Sequence, residues 1–458
     1  MEGGGSVLGL QDRPEYQMFP NKRLKKLVVP LVVEQAALIF VSMVDAMMLA
    51  AIDPDAYSAI SLVDMINNLI TQAFLAIGAG GAILAAQCIG HKDRENALNV
   101  ATQAAMLAIT VSLSIMLGVL AFNGPLLRAI YPKVSGGIMG YARVYFALSA
   151  VSFPFYALYN CGCNQLYAQS NSRASMIASF TMYASKVLMN FLFISALRMG
   201  VWGIGLATIL SRVIGAAMTT HVLLHPDSLI HYRRPFSPRV LLKLDKRMIR
   251  VAWPAGAENS MFLLGKLIVG VMVARFSGTL IAAHAAASTI CGFVSVPTNA
   301  LNLATITVVG QCVGAKLMKE ARYNAMRLLK MTYLVHTAMA ILLFALTVPL
   351  VGLLRLSPES SEVAIRLLRV YFALTFIFEP SSFSLPNSLR AAGDNKYTMT
   401  VAIFSMLVFR VGLTFLFTQM LGFGVDGVWY AMYVDWAVRA LLFILRYRSG
   451  KWERHALV

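Results

Sequence analysis

The chain predicts an all-α polytopic membrane protein of twelve transmembrane helices, arranged as two pseudo-symmetric six-helix lobes. Three observations carry that prediction. First, 58% of its 458 residues are hydrophobic and only 13% are charged, with a mean hydropathy of +0.68; a soluble domain carries about 25% charged residues. Second, apolar runs recur at the length needed to cross the hydrocarbon core, where ~20 helical residues span ~30 Å. Third, a stretch of the first half returns in the second. Pro30 and Glu34 reappear as Pro254 and Glu258, an offset of 224 (254 minus 30).

Taken in order, the apolar runs cover 27–51, 55–86, 98–122, 141–162, 174–197, 202–224, 248–274, 279–310, 324–353, 364–389, 397–421 and 425–446. Runs longer than a bilayer crossing accommodate by tilting or protruding. Five units follow: an N-terminal segment 1–26, an N-lobe 27–224, a linker 225–247, a C-lobe 248–446 and a tail 447–458. Residues 1–20 lack a basic start and a continuous apolar core, so they read as a cytosolic head rather than a signal peptide.

The net charge of +18 does not indicate nucleic acid, because the basic residues sit in short loops between spans. Lys22, Arg23, Lys25 and Lys26 precede the first span, and Lys92 and Arg94 follow the second. Lys316, Lys319 and Arg322 follow the eighth, and the linker and tail are basic as well. The intervening connections are poorer in bases: Asp53 and Asp55 lie in the first, Arg198 in the fifth–sixth and Asp426 in the last. The positive-inside rule therefore expects both termini and the linker in the cytoplasm. The five cysteines fall in or beside apolar helices without zinc-ligand spacing, and no nucleotide loop or nucleophile–base arrangement suggests an enzyme.

The duplication is collinear. Gln87-Cys88-Ile89-Gly90 answers Gln311-Cys312-Val313-Gly314. Arg143-Val144-Tyr145-Phe146-Ala147-Leu148 is identical to Arg369-Val370-Tyr371-Phe372-Ala373-Leu374, and Phe191-Leu192-Phe193 matches Phe415-Leu416-Phe417. Six spans per half start both halves on the same side. The expectation is a pair of parallel repeats with a substrate site between or within the halves near the midplane.

Ionisable residues inside spans mark function by default, since a carboxylate at the bilayer centre costs roughly 2.5–3.5 kcal/mol. Asp45 lies two-thirds along the first span. Glu34 and Glu258 each follow a proline by one turn, where a helix-kink role competes with function. Glu379 precedes Pro380 at a helix break. Lys186 and Arg410 occupy matching places in the fifth and eleventh spans. A buried charge needs a partner, so the expected pairs are Lys186 with Asp45, Arg410 with Glu379 or Glu258, and Lys266 with Glu258. Asp435 and Arg439, four residues apart, read as a pair on one helix face. Asp64, Asn67 and Asn68 form a polar patch in the second span, and Gly78, Gly80 and Gly81 permit close helix crossing.

These features together resemble the MATE multidrug and toxic-compound extrusion transporters, in particular the bacterial NorM and DinF types. The resemblance rests on the 6+6 repeat, the Pro30-to-Asp45 spacing, Ser388-Leu389-Arg390-Ala391-Ala392-Gly393-Asp394, and Gly278-Thr279-Leu280-Ile281-Ala282-Ala283-His284. It covers about residues 20–450. It implies a V-shaped pair of lobes in the inner cell membrane that export organic cations or drugs against inward H+ or Na+. It implies a monomer needing no cofactor beyond the coupling ion. Asp45 takes the place of the family's ion-coupling aspartate of the first helix. Glu379 takes that of the acid of the tenth helix. Glu258 resembles the seventh-helix glutamate but lies about one turn earlier. Where many members carry an Asn-x3-Asp pair that helps bind Na+, this chain has Lys186 and Asn190. A Na+ site at Asp45 and Asn190 is thereby implied, but a fixed ammonium would repel it, which favours protons. A lipid-linked saccharide flippase of the same superfamily is the alternative, and a receptor or channel-like protein ranks third.

Overall fold

The computed structural model describes residues 17–50, 53–132, 134–226, 228–232 and 246–457. Most of the expected N-terminal segment and most of the linker 225–247 lie outside the described residues. Among the described residues there are no strands.

The N-lobe is built of α1 (Asn21–Ala50), α2 (Pro54–Gly90), α3 (Arg94–Ile130), α4 (Gly136–Ala168), α5 (Ser172–Ala196) and α6 (Gly200–Leu224). The C-lobe holds α7 (Lys246–Val273), a broken α8 (Gly278–Gly292 and Ser295–Gly314, bent by 46°) and α9 (Met318–Ala345). It is completed by α10 (358–391), α11 (Asn395–Met420) and α12 (Gly424–Arg448). Ten of these are individually long and apolar enough to cross a membrane, and the bent α8 makes eleven. The twelfth, α10, is interrupted by a π-helical turn at Pro380–Ser384. Pro380 has no amide hydrogen to give the helix and its ring crowds the preceding turn, so the wider turn absorbs the break.

Duplication extends to the backbone. Left-handed residues recur in matching loops: Lys92 and Lys316, Ser170 and Gly393, Arg198 and Gly422, Gly200 and Gly424. The π-helical turn Phe191–Ala196 that ends α5 has its counterpart in Leu416–Met420 of α11. A second π-helical turn in α11, Met406–Gly412, has no counterpart in α5.

Three apolar cores hold the molecule. One fills the N-lobe around Phe74, Phe146 and Phe153. One fills the part of the C-lobe around Tyr371, Trp429 and Trp436. The third joins the lobes, packing Leu27, Leu31 and Tyr167 with Val308, Leu389, Phe443 and Trp452.

The lobes meet in the half of the molecule toward the basic loops, here termed the basic face. Gln87 Nε2 donates to the Ala391 carbonyl and Gln311 Nε2 to the Ala168 carbonyl, each at 2.7 Å. Gln87 and Gln311 are repeat equivalents, as are Ala168 and Ala391, so one reciprocal bond is written twice. Thr307 adds a bond to the Tyr167 carbonyl at 3.0 Å. Here α2 and α8 cross so tightly that a β-carbon at Gly90 would overlap the Gln311 carbonyl, and one at Gly314 the Gln87 carbonyl. Deeper in, Gly80 meets Ala252 and Gly256 meets Ala76. Both ends of the described chain strap this seal. Phe19 is buried against the C-lobe, with its carbonyl held by Arg327 at 3.1 Å. Leu457 donates its amide to Gln87 Oε1 at 2.8 Å and accepts from Arg247 at 2.8 Å.

Candidate functional site

Away from the seal the lobes enclose a chamber of about 1320 Å³, lined by α1, α2 and α4 to α6 of one lobe and by α7, α8 and α10 to α12 of the other. Five acids (Glu34, Asp45, Asp64, Glu258 and Glu379) and six bases (Lys186, Arg212, Lys266, Arg390, Arg410 and Arg439) reach it.

On the N-lobe side α1 lies against α5. Asp45 forms an ion pair with Lys186 and accepts a hydrogen bond from Asn190 Nδ2 at 2.8 Å. Both carboxylate oxygens are therefore engaged, one of them by an ammonium, and the arrangement does not fit a bound Na+. One turn beyond Pro30, Glu34 is buried at 4% exposure and is held by hydroxyls: Tyr167 at 2.6 Å, Ser179 at 2.5 Å and Ser175 at 3.3 Å. No cation lies within ion-pair distance of it among the described residues. Across the chamber Asp64 accepts from Tyr145 at 3.0 Å and Asn67 at 3.3 Å. Arg212 lies over the Tyr156 ring at 4.5 Å and bonds Ser152 at 2.6 Å.

The C-lobe holds a second hydroxyl-lined acid. Glu379 is 5% exposed. It accepts from Thr375 at 2.5 Å, Tyr371 at 2.9 Å and Ser295 at 3.2 Å. The wholly buried His336 stands 3.6 Å away, its Nε2 bonded to Thr375 at 3.0 Å and its Nδ1 to Thr298 at 3.2 Å. Neither His336 nor this ring of hydroxyls was singled out in the sequence, although a lone histidine within the apolar run of α9 was a signal. The Tyr145 and Tyr371 of the duplicated Arg-Val-Tyr-Phe-Ala-Leu motif thus each donate to an acid. In one lobe that acid comes from α2 and in the other from α10.

Three expected pairings are corrected by the geometry. Glu258 is bonded by Arg390 at 2.5 Å and approached by Arg439 at 3.9 Å, so Lys266 is not its partner. Lys266 instead lies 5.1 Å over the Phe262 ring. Arg410 reaches neither Glu379 nor Glu258, because the first is satisfied by hydroxyls and the second by α10 and α12. Asp435 accepts from Ser405 while Arg439 turns toward Glu258, so these two do not form an ion pair. Lys186 and Asp45 do meet, as their positions in α5 and α1 suggested.

A buried carboxyl ringed by hydroxyl donors is stable charged and can also be neutralised by one proton, after which it returns a hydrogen bond. Glu34 and Glu379 are each held by three hydroxyls, and both line a chamber able to hold a drug-sized molecule. Twelve helices in two repeated lobes, sealed on one face around such a chamber, define a multi-pass membrane transporter rather than an enzyme. The MatE family model matches the chain twice, over residues 30–192 and 254–416, the same 224-residue offset read from the sequence. The chain belongs to the MatE family and is a NorM-like transporter. Uncharacterized transporter YisQ of Bacillus subtilis is 26% identical over 438 residues, 94% of each chain. The probable multidrug resistance protein NorM of Thermotoga maritima is 22% identical over 445 residues, 96% of this chain and 94% of its own. An outward-facing structure of a multidrug resistance MATE family transporter superposes with a TM-score of 0.86 at 20% identity, over 93% of this chain and 95% of that one.

Proposed function

We propose that this transporter is a proton-coupled antiporter that exports small organic molecules by alternating access, with its basic face and both termini in the cytoplasm. The observation that carries the reading is the pairing of one sealed face with a chamber lined by titratable carboxyls. Protonation of Glu379, of Glu34, or of Asp45 with release of Lys186, changes the charge that the chamber shows to a passenger. A passenger and a proton that cannot both be held tightly exclude one another, and mutual exclusion across a rocking pair of lobes is antiport. The ammonium of Lys186 against Asp45 favours protons over Na+. The drug resistance named for several relatives, the NorM of Thermotoga maritima among them, supports a xenobiotic or metabolite as passenger. With the basic face in the cytoplasm, a chamber sealed on that face fits the release or proton-loading stage of such a cycle.

The test is uptake and counterflow in proteoliposomes under an imposed proton gradient and then a sodium gradient. Asp45→Asn and Glu379→Gln should each lower proton-driven transport roughly tenfold or more with normal protein levels, since a differential interaction of about 1.4 kcal/mol already shifts an equilibrium tenfold. Wild-type rates in both variants, or transport driven by sodium alone, would remove the proposed coupling.

A further inference from the structure

We propose that the C-lobe wall of the chamber binds the anionic group of an organic passenger, a carboxylate, sulfonate or phosphate, through Lys266, Arg410 and Arg439. The proposal rests on the reading of the chamber as the transport site and names the class of molecule it takes. It departs from the organic-cation expectation.

Bases outnumber acids on the chamber wall, six to five, and the pairing is lopsided. Lys186 is matched by Asp45, and Arg390 by Glu258. On the C-lobe wall no acid lies within ion-pair distance of Lys266 or Arg410 among the described residues. The acids nearby are engaged elsewhere: Asp435 by Ser405, Glu379 by Ser295, Thr375 and Tyr371, and Glu258 by Arg390. Arg439 is 3% exposed and its Nη2 stands 3.9 Å from Glu258, yet its Nε and Nη1 have no hydrogen-bond partner among the described residues. Unpaired guanidinium hydrogens in a buried wall are costly, and an oxyanion is the ligand that satisfies them.

The surrounding framework is built to hold these cations. Lys266 lies over Phe262 at 5.1 Å and Arg439 over Phe383 at 4.8 Å. Phe262 and Phe383 themselves meet edge-on at 6.1 Å. The two cations therefore sit on one joined aromatic pair, extended by Trp436 at 5.8 Å from Phe383. Gly265 lets α7 press against Met406 of α11, which brings Arg410, one turn on in the π-helical stretch Met406–Gly412, onto the wall beside Lys266. The charges take the anionic head and the rings take an apolar or aromatic body.

The experiment measures equilibrium binding to the purified full chain in detergent by fluorescence anisotropy, with 5-carboxyfluorescein and with ethidium. Carboxyfluorescein should bind, and Lys266→Gln and Arg410→Gln should each weaken it at least tenfold, while Lys266→Arg restores binding. Because the anion could belong to a soluble molecule or to a lipid head, 2-naphthoate and dioctanoyl phosphatidate serve as competitors. Displacement by naphthoate assigns a soluble organic anion, and displacement by phosphatidate alone assigns a lipid phosphate. Carboxyfluorescein binding that ignores both glutamine variants overturns the proposal. Ethidium binding that is lost on filling the chamber with Asn160→Trp, with no carboxyfluorescein binding, overturns the anion site but keeps the chamber as the transport site. Dye binding unchanged by Asn160→Trp overturns both.

Discussion

Glu379 and His336 show how hydroxyls can hold a carboxyl and an imidazole 3.6 Å apart inside a membrane protein. Three hydroxyls converge on the carboxylate, and the imidazole is fixed by Thr298 on one side and Thr375 on the other. Each partner is thereby held by hydroxyls. Removing the ring breaks both sides at once. His336→Ala should destabilise the protein by about 2–3 kcal/mol, from the cavity and from stranded threonine hydroxyls, read as a lower thermal midpoint of the purified protein. His336→Asn should recover part of that loss. The acids at this scale were legible from sequence because a carboxylate in an apolar run stands out. Their partners were not. Serine, threonine and tyrosine are common in spans, and nothing in the spacing of Ser175, Ser179 and Tyr167 says that three hydroxyls from two helices meet at Glu34. Arg410 was misassigned for the same reason: the claim of Arg390 on Glu258 depends on where α10 lies against α7, which no offset along the chain encodes.

The elements themselves follow closely from the sequence. Helices lie on the apolar runs and most begin before them, as where Asp93, whose side chain accepts the Asn96 amide at 3.1 Å, caps α3; the ninth run, read as 324–353, is instead divided between α9 and a short helix, Thr347–Leu353. The breaks were less legible. The kink of α8 falls at Phe293 and Val294, between Gly292 and Ser295; Pro297 has no amide hydrogen to give the Phe293 carbonyl four residues earlier, a local signal that the length of the apolar run hid. The crossing of α2 with α8 is the element-scale feature most open to test. Gly90 and Gly314 occupy equivalent places, and each faces a backbone carbonyl of the other helix. Gly90→Ala or Gly314→Ala must push the helices apart at the seal, a strain of about 1–3 kcal/mol where overpacking is tolerated at all. Either variant should populate a state open at the basic face, detected as faster labelling of Cys88 or Cys312 by a membrane-impermeant thiol reagent from that side. Labelling no faster than in the parent would show that the seal does not depend on this contact.

At the scale of the molecule, the two lobes are copies that have diverged in their chemistry. The repeat fixes helix order, loop geometry and the reciprocal Gln87 and Gln311 bonds. The acids differ: Asp45 and Asp64 have no carboxylate at the matching positions of the C-lobe, and Phe153 stands where Glu379 would fall. Rocking about the seal is then expected to move one chemically distinct wall against another. Ala86 and a β-carbon built at Gly310 come within 3.1 Å, near enough for a disulfide after slight relaxation. In a background lacking the five native cysteines, Ala86→Cys with Gly310→Cys should stop transport on oxidation and recover it with reductant. Full transport by the oxidised pair would mean that the lobes do not separate at this face.

The placement of the aromatic residues has a practical consequence. The chain has five tryptophans; Trp429 and Trp436 border the chamber, Trp452 is packed where the lobes join, and Trp202 and Trp253 point outward at 56% and 72% exposure. Native ultraviolet emission therefore samples cargo, hinge and lipid from separate vantage points. An unlabelled sample in a cuvette, with single tryptophans replaced by phenylalanine, can report cargo arrival and lobe opening as two distinguishable optical events.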